Sequence, residues 1–94
     1  EEYVPLISIE ADLTVFPNPT RGSVSVYLND YDKSNHAMME VYDLAGELSF
    51  KQPVKLHVGE NYWQADLHDL RSGSYMVVVR DENGILARSK LIVY

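Results

Sequence analysis

Within one short stretch, NDYDKSN, the side chains of Asp30, Asp32, Ser34 and Asn35 offer oxygen ligands. Hard cations such as calcium take ligands of this kind. The helical calcium loop is nevertheless not matched, because Asn35 stands at the sixth position, where the sharp turn needs glycine, and Val41 at the twelfth, where a bidentate glutamate belongs. The stretch therefore reads first as a solvated loop between strands. His36, His57 and His68 show neither H-x-x-x-H nor H-x-H spacing, so they do not read as a zinc site. No G-x-S-x-G elbow accompanies the serines. On these grounds no catalytic, metal or cofactor-binding residue is assigned, no cofactor is expected, and the domain is not read as an enzyme.

The aromatic residues offer a different chemistry. Tyr27, Tyr31, Tyr42, Tyr62 and Trp63 could form a platform that stacks on sugar rings, provided that several of them share one solvent face. Trp63 alternates with Ala65 and Leu67, which directs it to the core. A carbohydrate-binding or adhesion module stands as the alternative function.

Whatever positions these residues must be small. Ninety-four residues make one domain, since a second core would need roughly 50 more. Eight Lys plus Arg against fourteen Asp plus Glu give a net charge of −6, which repels phosphate backbones and argues against nucleic acid. Without cysteine there is no disulfide framework and no thiolate chemistry. The longest apolar runs, YMVVV and LIVY, fall far short of the ~20 residues of a membrane-spanning helix. The start, EEYVP, lacks the features of a signal peptide. If the domain is exported, its address is expected elsewhere than at this N-terminus.

Alternation with period two recurs along the chain, and no long stretch carries a helical apolar stripe. The pattern predicts strands over 13–16, 23–28, 37–43, 47–51, 62–67, 75–80 and 85–93, with a further extended piece at 3–9. PNPTRG, DLAGE, HVGEN, DLRSG and DENG punctuate them as turns. About seven short strands without a covering helix predict an all-β, immunoglobulin-like antiparallel sandwich, with a small closed barrel as the alternative. The expected core is Val24, Val26, Leu28, Met39, Val41, Leu48, Phe50, Trp63, Ala65, Leu67, Tyr75, Val77 and Val79. Both faces of ILARSKLIVY are apolar, so pairing of two copies or of a partner through an edge strand is expected there. In LRSGSY, a leucine, a turn glycine and a tyrosine opening an apolar strand have the arrangement of a tyrosine corner.

Three pieces in order, VFPNPTRG, MEVYDLAGEL and LRSGSYMVVV, followed by the closing KLIVY, resemble the type A C-terminal sorting domain of the type IX secretion system, from about residue 13 to Tyr94. Carried over by position, the first motif of that family falls on Pro17, Asn18, Pro19, Thr20 and Gly22. The second falls on Tyr42, Asp43 and Gly46, and the third on Leu70, Gly73 and Tyr75. Lys90 takes the basic position of the closing motif. Arg71, where the family often has proline, and Glu47, where a basic or polar residue is common, are the departures.

The resemblance implies a role. Residues 13–94 would be a sandwich that directs an attached cargo through the outer-membrane type IX machinery, and residues 1–12 a tether from an upstream passenger. A sortase-like cysteine protease would then remove the domain, and the cargo would be released or fixed at the surface of a Gram-negative bacterium after passing the periplasm. Export recognition is expected at Lys90, Leu91, Ile92, Val93 and Tyr94. The prolines of the first motif have a physical reading in either case: Pro17 cannot donate a ladder hydrogen bond, so the first strand must stop there.

Overall fold

A computed structural model describes residues 12–31 and 34–94. The expected extended piece at 3–9, the first eleven residues of the expected 1–12 tether, and Asp32 of the acidic loop lie outside these residues, whereas Asp12 opens the first strand opposite Asn29. Seven strands follow one another: β1 (Asp12–Phe16), β2 (Ser23–Tyr31), β3 (Asn35–Asp43), β4 (Leu48–Leu56), β5 (Gly59–Asp66), β6 (Gly73–Asp81) and β7 (Gly84–Val93). They form two antiparallel sheets, one ordered β1-β2-β5 and the other β4-β3-β6-β7. The sandwich is open, not a closed barrel, and β1 packs beside β7 where the two sheets meet along one side.

The two sheets face each other because alternate residues on every strand are apolar. Val24, Val26 and Leu28 of β2, Met39 and Val41 of β3, Ala65 of β5, Tyr75, Val77 and Val79 of β6, and Leu67 beyond β5 make the shared core, as alternation predicts. Leu91 and Val93 of β7, Val54 and Leu56 of β4, and Val15, Tyr31, Ala37 and Ala87 complete it. Leu48 is a correction, since it is 42% exposed. Phe50 pairs with Val41 but Leu48 pairs with Tyr42, so Ser49 is an extra residue on β4 and the faces exchange there. Leu48 is thereby turned out beside Tyr42. Phe50 and Trp63 are only partly buried and pack against the core from its margin.

Several strands run beyond their sequence-based limits. The largest difference is β4, expected to stop at 51 but continuing through Pro53 to Leu56. Proline is tolerated because β4 is an edge strand and Pro53 has no second neighbour to serve. The β4–β5 turn is held by Asn61, which is 3% exposed, accepts from the His57 amide at 2.9 Å and donates to the His57 carbonyl at 2.8 Å.

Candidate functional site

The first motif folds back upon the last strand. After Phe16 the ladder stops at Pro17, and the Phe16–Pro17 and Asn18–Pro19 peptide bonds are both cis. Asn18 then places its side chain along the outer edge of β7: Nδ2 donates to the Lys90 carbonyl at 3.0 Å, and Oδ1 accepts from the Ile92 amide at 2.9 Å. Two residues on, the backbone takes over. The Thr20 amide donates to the Ile92 carbonyl and the Tyr94 amide donates to the Thr20 carbonyl, each at 2.9 Å, forming a parallel bridge between Thr20 and Val93. One side-chain amide and one residue of backbone thus act as a short surrogate strand.

The corner is fixed from within. Thr20 is 1% exposed; its hydroxyl donates to the Ser23 carbonyl at 2.7 Å and accepts from the Gly22 amide at 3.0 Å. Gly22 has φ 140°, and a Cβ there would lie 2.7 Å from Cδ2 of His68, so the position demands glycine both for its backbone and for the ring beside it. His68 in turn pairs through Nδ1 with Asp66 Oδ1, and its amide donates to the same carboxylate. These bonds from His68, the backbone one foremost, hold the Asp66 carboxyl below its ordinary range. Outside the corner, the Arg21 guanidinium lies 5.1 Å from the centre of the Tyr94 ring.

The second and third motifs close turns near the same place. Asp43 accepts from the amides of Ala45 and Glu47 at 2.9 Å each, and Gly46, at φ 83°, supplies the left-handed residue of that β3–β4 turn. The Tyr75 hydroxyl donates to the Arg71 carbonyl at 2.6 Å while its ring is buried, which is the corner expected from LRSGSY. Register brings the pieces together: Asp43 stands opposite Tyr75, Tyr75 opposite Leu91, Gly73 opposite Val93, and Val93 beside Thr20. Four segments distant in sequence therefore meet at one end of the sandwich, around the end of β7.

That meeting divides the expected recognition set. Leu91 is 0% exposed and Val93 4%, whereas Lys90, Ile92 and Tyr94 face water. Leu91 and Val93 hold the strand in the core, and a folded domain displays only the other three. The expected edge pairing is likewise corrected at residues 90–94, whose outward backbone groups are already used by Asn18 and Thr20.

The sugar platform is dispersed. Tyr31 is buried, Tyr42 faces outward on the four-stranded sheet, and Tyr27 and Tyr62 meet edge to face on the other sheet with centroids 6.4 Å apart. Of the acidic loop, Asn35 is engaged within the protein, accepting from the Tyr31 hydroxyl at 2.7 Å and donating to Asp81 at 2.8 Å.

The profile of the secretion system C-terminal sorting domain matches residues 14–94 of this chain. The chain belongs to that family. A sorting domain of the type IX system is therefore what the converging motifs build, and its cargo is one sent to the cell surface or released. Comparison with the curated proteins gave no match. Among solved structures the sorting domain is similar to part of dimeric latent PorU from Porphyromonas gingivalis, with a TM-score of 0.65 and 26% identity over 88% of this chain. It spans only 9% of that protein's chain. An immunoglobulin-like protein, PA1606 of Pseudomonas aeruginosa, shares the fold alone, with a TM-score of 0.50 and 13% identity over 94% of both chains.

Proposed function

We propose that the sorting domain is a folded export tag read at the end of the sandwich where the PNPT corner is locked to β7. The observation that carries this is the bonding of Asn18 and Thr20 to Lys90, Ile92 and Tyr94. It makes the family's first and closing motifs one surface. Recognition of a folded cargo can use only such a surface, and here it is presented by Lys90, Ile92, Tyr94 and Arg21. The partner is the outer-membrane export machinery.

The residues ahead of β1, 1–11, serve as the tether, and a sortase-like cysteine protease cuts in or before them once the cargo has crossed the outer membrane. The cargo is then released or attached to the cell surface. Family membership supports this sequence of events. Self-association through an edge strand falls to β4 or β5, which end the two sheets on the side away from the corner.

The test is a reporter carrying residues 1–94 at its C-terminus, expressed in a bacterium with a type IX system. Mass spectrometry of the exported reporter should find its new C-terminus at or before residue 11. A cut inside the sandwich, or an exported reporter that keeps the whole domain, would refute the tether assignment. Deleting Leu91 to Tyr94 is a poor export test, because it strips two core residues and unfolds the domain. Ile92→Ser and Tyr94→Ser act on the surface alone and should lower export with the fold intact.

A further inference from the structure

The outer face of the β4-β3-β6-β7 sheet carries a groove of about 690 Å³ running from Asn18 and Ile92 at one end to Ile85 at the other. Met76 and Val78 line it from β6, Tyr42 from β3, and Lys90 and Ile92 from β7. Its apolar character is unusual for a water-facing surface: Leu44 is 85% exposed, Ile92 48% and Ile85 41%. Val78 is only 5% exposed although it lies outside the core between Glu40 and Arg88 in register. The outer face of the other sheet is more polar, carrying Thr14, Ser23, Ser25, Gln64 and Asp66, with Phe16, Tyr27 and Tyr62 as its aromatic residues.

Charge narrows what can occupy the groove. Both acids beside it are already satisfied within the domain: Glu40 Oε1 accepts from the Tyr42 hydroxyl at 2.8 Å and from Arg80 Nε at 2.6 Å, and Asp43 caps its own turn. Lys90 stands in register with Met76 and makes no ion pair among the described residues. In a chain of net charge −6 the groove thus offers a cation beside an apolar floor. Strand addition at residues 90–94 is blocked by the corner. An occupant must therefore bind through side chains laid into the groove. Met76 and Val78 are two residues apart on one strand, about 6.6 Å, which is the repeat of alternate side chains in any extended segment.

Resting on the sorting reading, we propose that this groove docks an extended segment of the export machinery, with alternate apolar side chains on Met76 and Val78 and a carboxylate at Lys90. The 94-residue chain, isotope-labelled, is titrated with the peptide acetyl-Ser-Val-Ser-Val-Ser-Glu-amide, whose valines and glutamate share one face when extended, and with its Lys-terminated counterpart. Amide shifts should concentrate on Met76, Val78, Lys90 and Ile92, with the Lys peptide at least about tenfold weaker and the preference reversed in Lys90→Glu. Shifts on the Tyr27 and Tyr62 face, shifts without charge preference, or none at all would overturn the proposal.

In cells, Met76→Glu should cut reporter export by about tenfold or more, as burying a charge in a docking groove does, while Tyr62→Glu on the opposite sheet leaves it unchanged. Thermal melting of both variants establishes that each is folded. Should Met76→Glu be folded and exported normally while the domain remains necessary, the groove fails and the sorting reading stands. Should the reporter be exported without the domain, the sorting reading itself fails. Sedimentation showing a dimer that Met76→Glu dissolves would assign the groove to a second copy and overturn the export partner.

Discussion

The Tyr75 ring is buried and its hydroxyl reaches back four residues to the Arg71 carbonyl. Tyr75→Phe keeps the ring and removes only that bond, so it should cost about 1 kcal/mol. Chemical denaturation measures this as a lower midpoint at unchanged slope. Asp66 gives a pH-dependent counterpart. Its folded carboxyl is depressed from 3.8 by the amide and ring of His68, so the bonded carboxylate stabilises fully above 3.8 and loses that contribution as pH falls through the lower folded value. Asp66→Asn should therefore be less stable than the parent near neutrality, and the gap should narrow in acid; a gap constant across an acid titration would remove the pair from the account. The tyrosine corner was legible because its leucine, glycine and tyrosine are local. The Asp66–His68 pair was not, since nothing in two residues separated by one leucine signals that a third, Gly22, leaves room for the ring.

At the scale of elements, the corner and β7 form one unit. Asn18→Ala removes both side-chain bonds to β7, at a cost of about 1–2 kcal/mol, and bares the backbone of Lys90 and Ile92. Sedimentation should then show more self-association than in the parent, because an unpaired strand edge recruits another. Gly22→Ala should cost about 1–3 kcal/mol by forcing a side chain into positive φ, read as a lower denaturation midpoint. Alternation along β2, β3, β5 and β6 made most of the sandwich readable. It failed at Leu48, where the extra residue Ser49 exchanges the faces, and at Pro53, which reads as a terminator unless the strand is known to be an edge. On β7 both faces are apolar for two reasons that one sequence cannot separate: Leu91 and Val93 fill the core, and Ile92 lines the outer groove.

For the whole molecule, three turn motifs and a terminal strand, each weak alone, become specific because the fold carries them to one end. The sequence resemblance gave the order of these motifs; their meeting around Val93 is set by the register of β6 with β7 and by the bridge to Thr20. The central claim is that this folded domain suffices to send a passenger across the outer membrane. The most direct measurement compares a periplasmic reporter with and without residues 1–94 at its C-terminus in a bacterium with a type IX system, scoring the fraction outside the cell. The account predicts export of the tagged reporter alone, lost when the secretion system is inactivated. Equal amounts outside with and without the domain would contradict it.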